Sequence, residues 1–135
     1  MSLKITTLCP LLQVYDMPTS IHFYRDLLAF EIVTTSPPLG PPDDFHWCLL
    51  ANHGAQLMLN TAYDTGQRPP TPDPTRVRAH NDTCLYLSCA DIEATCAALR
   101  RKGLTLRDPQ IAPYGMKQLY LDDPDGYNLC YQHPA

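Results

Sequence analysis

Hydrophobic and polar positions along this chain follow two periods, and the order in which the periods alternate repeats once. Residues 5–16, "ITTLCPLLQVYD", are mixed apolar and read as a strand. In "MPTSIHFYRDLLAF" the period lengthens. Ile21, Tyr24, Leu27 and Leu28 share one helical face, and Pro18 suits a first helical turn. "FEIVTTS" (30–36) returns to β-branched residues. "FHWCLLA" (45–51) and "AQLMLNT" (55–61) predict a hairpin across Asn52–Gly54. Residues 62–80 have no periodicity and read as a linker. Then "NDTCLYLSCAD" (81–91) is a strand and "DIEATCAALRRKG" (91–103) a helix. Asp91 is its N-cap, Glu93 lies in the first turn, Arg100–Lys102 in the last, and Gly103 stops it. "LTLRD" predicts a strand, and "MKQLYLD" and "YNLCYQ" a closing hairpin across the turn Pro124–Asp125–Gly126.

That order is strand, helix, three strands, twice over. The letters repeat as well. Cys9, Leu12, Val14 and Asp16 spell C-x-x-L-x-V-x-D, and Cys84, Leu87, Cys89 and Asp91 repeat it 75 positions later with Cys for Val. Two copies predict duplicated modules rather than a solenoid. The expected organisation is one domain over 1–135, with a first module over about 3–61, a Pro-rich linker over about 62–80 and a second module over about 81–133.

Composition narrows the partners. A formal charge of −4, from 10 basic and 14 acidic residues, argues against nucleic acid and anionic membranes. No apolar run approaches the ~20 residues of a membrane helix. "MSLKITTLCP" lacks a signal-peptide core, so a cytoplasmic location is expected. Eight of the 14 prolines cluster in "SPPLGPP" (36–42) and "QRPPTPDPT" (67–75), which read as loops. Six cysteines without a secretion signal or a C-x-x-C pair read as reduced, mostly buried thiols.

Three stretches carry a resemblance: "LLQVYDMPTSIHFYRDLLAFEIV" (11–33), "LYLSCADIEATCAALRRKGL" (85–104) and "DDPDGYNLCYQ" (122–132). In this order the chain resembles the vicinal oxygen chelate superfamily, which includes glyoxalase I, bleomycin-resistance proteins and extradiol dioxygenases. The resemblance implies an α+β fold of two βαβββ modules forming a curved mixed sheet around a cavity, with helices on the convex side. It also implies a homodimer. Strand alternation then places Cys9, Leu11, Gln13, Met58 and Asn60 toward the cavity, with Cys84, Tyr86, Ser88, Asn128, Cys130 and Gln132. One of His46 and Trp47 should face it too, and Tyr114, in "APYGM", is a loop contact.

Metal-dependent members of that superfamily hold the metal with His, Gln or Glu at four positions. Carried over, those positions fall on Cys9, Met58, Cys84 and Cys130. None is a usual ligand of the family, so no cofactor is expected. The alternative is a soft site for Cu(I), Zn(II) or a metalloid. A reactive thiol, with His80 near Cys84, is a third reading. The first functional hypothesis is a metal-free protein binding a small, partly aromatic molecule, such as a drug or natural product, through Leu11, Gln13, Trp47, Tyr86 and Tyr114. The second is a glyoxalase- or dioxygenase-type enzyme with an atypical sulfur-rich metal site. The third is a fold that serves assembly alone.

Overall fold

The computed structural model describes residues 2–135. They divide into two compact units that meet at Arg68 and Pro69. The first unit contains β1 (Leu11–Val14), α1 (Met17–Ile21) with a π-helical turn after it (His22–Leu27), β2 (Glu31–Thr35), β3 (Trp47–Asn52) and β4 (Ala55–Thr61). Its strands lie in the order β1-β4-β3-β2, with β1 parallel to β4 and the other pairs antiparallel. The second contains α2 (Pro74–Ala79), a 3-10 turn (His80–Asp82), β5 (Cys84–Ser88), α3 (Ile92–Arg101), β6 (Gln110–Ile111), β7 (Met116–Asp122) and β8 (Asn128–Pro134). Its order is β5-β8-β7-β6, with the same parallel and antiparallel pattern. The fold is thus α+β, two βαβββ modules, each with its own open four-stranded mixed sheet.

Alternation sorts each sheet into a packed and an open face. In the first unit Leu12, Val14, Cys48, Leu50, Leu57 and Leu59 are buried with Ile21, Tyr24 and Leu28 of the helical segment. In the second, Leu119, Leu121 and Leu129 are buried with Ile92, Cys96 and Leu99 of α3. Asp16 and Asp91 cap their helices in equivalent ways, accepting from the backbone N–H of Thr19 and Ala94. The repeat read from the letters is therefore a repeat of structure.

Four elements differ from the sequence reading, each for a physical reason. The first strand covers only residues 11–14 of the expected 5–16. Pro10 has no N–H to give a ladder, and its carbonyl accepts the first cross-strand bond, from Met58 N–H at 2.9 Å. The expected strand at "LTLRD" is absent. Arg100 instead binds the Leu106 carbonyl and the Asp108 carboxylate, each at 2.9 Å, tying that segment to α3. The linker holds a helix, α2, started by the Asp73 cap and Pro74. It buries no side chain fully, so no apolar period announces it. Finally, the π-helical turn widens the first helix, with Leu28 N–H bonding Phe23 O at 3.0 Å. Phe23 is buried as a result and Leu27 only half-buried.

α2 is held by the Pro124–Gly126 turn. Buried Asp125 pairs with Arg76 at 2.8 Å. His80 stacks on Tyr127 at 3.9 Å, and its Nδ1 lies 2.8 Å from the Asp125 carbonyl. His80 is accordingly a clamp between α2 and this turn, with its ring and its Nδ1 both engaged there. Gly126, at φ +84°, leaves room for Val77; a Cβ there would lie 2.7 Å from its Cγ1 and 2.9 Å from its carbonyl oxygen.

Candidate ligand-binding faces

The open face of each sheet is built from rows of cross-strand neighbours, whose side chains point the same way. In the first unit one row is Leu11, Met58, Leu49 and the next is Gln13, Asn60, Trp47. Trp47 therefore shares the open face with Leu11 and Gln13, while His46 is exposed and hydrogen-bonded to Thr65. In the second unit the corresponding rows are Tyr86, Cys130, Tyr120 and Ser88, Gln132, Gln118. The duplicated register thus sets Met58 against Cys130 and Leu11 against Tyr86. One face pairs an aliphatic row with a row of two amides and a single indole. The other is phenolic and amide-rich.

The second face carries a connected polar network. The Tyr86 and Tyr120 hydroxyls are 3.3 Å apart. The Tyr120 hydroxyl donates to Gln118 Oε1 at 3.3 Å. Gln118 Nε2 donates to the Tyr114 hydroxyl at 2.8 Å and to Gln132 Oε1 at 3.1 Å. Following the protons, Tyr86 donates to Tyr120, whose own proton is committed to Gln118. Both Gln118 N–H groups are used, which leaves the Tyr114 proton free to donate outward. Gln118 is buried, yet Tyr86, Tyr114 and Tyr120 are 52%, 68% and 47% exposed. A pre-set polar frame therefore holds three phenolic rings at the surface.

Cys130 lies on the expected face but lines no open surface. It is fully buried in the row between Tyr86 and Tyr120. Burial pushes its thiol up, partly offset by the neighbouring Tyr120 hydroxyl, and burial likewise pushes up Cys84. Tyr120 is raised in turn, first by its bond to Tyr86 and then by desolvation. All six cysteines are free thiols; Cys48, Cys96 and Cys130 are buried and Cys9, Cys84 and Cys89 partly so. Among the described residues, no three His, Cys, Asp or Glu side chains gather as a metal centre would require. Cys9 and Met58 belong to the first unit, Cys84 and Cys130 to the second. Thiols raised by burial resist the deprotonation that metal binding needs. The donor set does not fit the metal some relatives use.

Sequence reasoning named Tyr86, Tyr114, Leu11, Gln13 and Trp47, and the structure sets them out as two groups, one on each open face. It passed over Tyr120 and Gln118, the centre of the network. Their signal was in "MKQLYLD": with Leu119 and Leu121 inward, Gln118 and Tyr120 must face outward.

Two βαβββ modules, each with a four-stranded mixed sheet of order β1-β4-β3-β2 or β5-β8-β7-β6, define the class of fold. A family model, Glyoxalase/Bleomycin resistance protein/Dioxygenase superfamily, matches residues 5–131, and the chain belongs to that family. No curated protein sequence matches it closely. Among solved structures it is similar to TnmS3, an antibiotic binding protein from Streptomyces sp. CB03234, with 22% identity and a TM-score of 0.72 over 99% of this chain and 100% of that one. It is also similar to TioX from Micromonospora sp. ML1, at 13% identity, TM-score 0.73, and 96% and 99% coverage. A third is the bleomycin-binding protein of bleomycin-producing Streptomyces verticillus, solved with copper(II)-bleomycin, at 15% identity, TM-score 0.66, and 96% and 97% coverage. No helix among the described residues is long and apolar enough to cross a membrane.

Proposed function

We propose that this protein binds a small, partly aromatic molecule without a metal, and that the open face of the second unit makes the principal contact. The observation that carries the reading is the phenolic surface of Tyr86, Tyr120 and Tyr114 on a buried Gln118–Gln132 frame. Rings held in place by a saturated network lose little freedom on binding, which favours affinity. Tyr86 and Tyr120 supply stacking surface. The Tyr114 hydroxyl supplies a donor for a carbonyl or phenolate oxygen. Leu11, Gln13 and Trp47 offer a second, less polar face on the first unit. The antibiotic-binding neighbours support a drug or natural product as the ligand class. The exposed Leu3, Ile5, Leu8 and Ile111 support a homodimer, which sedimentation at several concentrations would show as a mass twice 15.2 kDa.

A thermal-shift screen against aromatic antibiotics and natural products is the test. A ligand at about 100 times its dissociation constant adds ~2.7 kcal/mol of stability. Tyr86→Ala and Tyr120→Ala should each weaken the hit by about 0.5–1.5 kcal/mol, the worth of an aromatic pair. Trp47, the sole tryptophan, reports by its fluorescence whether the first unit's face takes part. A hit whose affinity is untouched by both tyrosine variants would sink the proposal, as would a broad panel without a hit.

A further inference from the structure

The first unit also contains a cleft of about 390 Å³, near the lower end of the ~300–1,000 Å³ range of small-molecule sites. It is lined by Tyr15, Asp44, His46, Tyr63, Asp64 and Arg68 among others. It is not part of the open face. His46 and Thr61 fall in strand phase with Cys48 and Leu59, which pack under the helix, and out of phase with Trp47 and Met58. The first proline-rich loop contributes Leu39 and Pro41 to its lining, and the segment after β4 contributes Asp64, Thr65, Gly66 and Arg68. Prolines restrict the first of these loops before any ligand arrives.

The chemistry inside is that of a cation site. Tyr15 and Tyr63 stand nearly perpendicular, 79° apart with centroids at 6.2 Å, and make two aromatic walls. The Arg68 guanidinium lies 5.2 Å from the Tyr15 ring centroid, within the ~6 Å reach of a cation–π contact. Arg68 is simultaneously paired with Asp16, so those two charges cancel. Asp44 and Asp64 remain. Among the described residues neither carboxylate has an ion-pair partner. The cleft therefore keeps two uncompensated negative charges beside two phenolic rings, and one planar cation of the chain already rests against a wall.

We propose that this cleft is a second binding site, for a planar organic cation such as an amidinium, guanidinium or aromatic ammonium group, and that Arg68 is its internal competitor. The ligand's charge is met by Asp44 and Asp64, and its flat face by the tyrosine wall that Arg68 now covers. An uncharged isostere gains the contact but not the charge.

Benzamidine and its neutral counterpart benzamide provide the test, by calorimetric titration of the full chain and by tyrosine ring shifts in NMR spectra. Benzamidine should bind at least about tenfold more tightly than benzamide, as a cation–π contact with two carboxylates requires. It should move the Tyr15 and Tyr63 signals and leave those of Tyr86 and Tyr114 in place. Arg68→Gln should strengthen benzamidine binding by clearing the ring, and the double variant Asp44→Asn, Asp64→Asn should weaken it. Equal binding of the two probes would overturn the proposal, as would no binding of benzamidine at millimolar concentration to either wild type or Arg68→Gln. The benzamidine–benzamide comparison in wild type needs no variant, so it decides the matter even if a variant does not fold.

Discussion

Cys130 shows how one residue's meaning depends on its neighbours in a row. By strand phase it belongs to the ligand face, but Tyr86 and Tyr120 flank it and exclude solvent. A thiol so placed, with its titration pushed up by burial, reacts slowly. Removing one cover should change that. Tyr86→Ala is expected to speed alkylation of Cys130 by iodoacetamide, read peptide by peptide in a mass spectrometer, with Cys48 unchanged. Cys48 is held at about 11 by burial within the first unit and serves as the internal control. Unchanged Cys130 labelling would mean that Tyr86 is not its cover. Gly126 presents the opposite case, a residue needed for its lack of a side chain. Its φ of +84° and its closeness to the Val77 backbone make Gly126→Ala costly twice over. A loss of about 2–4 kcal/mol in urea unfolding is expected. Val77→Ala should not rescue it, because the carbonyl oxygen remains.

At the level of elements, the first helix separates a period read from letters from the backbone that results. A 3.6-residue stripe puts Leu27 in the core and Phe23 outside. The π-helical turn reverses the two, burying Phe23 against Tyr24 with ring centroids 5.0 Å apart. Phe23→Ala should therefore cost about 3–5 kcal/mol and Leu27→Ala well under half of that, measured by denaturant unfolding. Equal costs would restore the regular stripe. The loop between β2 and β3 is tied to the same element by Arg25, whose two Nη atoms each lie 2.8 Å from an Asp43 oxygen. Arg25 holds the Asp43 carboxyl below its ordinary range. Its folded pKa is thus lower than its unfolded one. The stabilisation is present above about pH 4 and is lost as pH falls through the folded value. Asp43 is about a third exposed, so the effect should be no more than ~1 kcal/mol. Asp43→Asn keeps the left-handed backbone at φ +60° and removes the charge. The variant should lose stability relative to wild type at pH 7 and converge with it at pH 2.

The repeated βαβββ order, the Asp91 N-cap and the inward and outward sense of β1, β4, β5 and β8 were legible because alternation and capping are local. What escaped depends on partners distant in sequence. Pro10 ends a ladder only because Met58 faces it. "LTLRD" stays unpaired because Arg100 claims its carbonyl. The helix at 74–79 exists with a turn 49 residues on, through Arg76 and Asp125. The candidate site was half legible for the same reason. Alternation found Tyr86, but only the register of β7 against β8 reveals that Tyr120 and Gln118 complete its row and the next.

The whole molecule carries two kinds of proposed binding surface, and their charge content distinguishes them. The rows Leu11–Met58–Leu49, Gln13–Asn60–Trp47, Tyr86–Cys130–Tyr120 and Ser88–Gln132–Gln118 contain no Asp, Glu, Lys or Arg, and the carboxylate of the adjoining Cys84–Asn128–Asp122 row accepts a hydrogen bond from Asn128. The first unit's cleft contains Asp44 and Asp64 without counter-ions. Salt screens exposed charges over about 8–10 Å at ordinary ionic strength and about 3 Å at 1 M, while dispersion and apolar burial are not screened. An aromatic ligand of the second unit's face should therefore bind with nearly the same affinity, within about twofold, when sodium chloride is raised from about 0.05 M to about 0.5 M. Benzamidine should weaken several-fold over the same interval. The net charge of −4 works in the same direction for any cation but is too small and too dispersed to produce that slope without local carboxylates. Titrating each ligand at both salt concentrations, alone and in the presence of the other, tests the separation. Two slopes with independent saturation are expected. A common slope with mutual displacement would mean that the cation and the aromatic ligand compete for one surface.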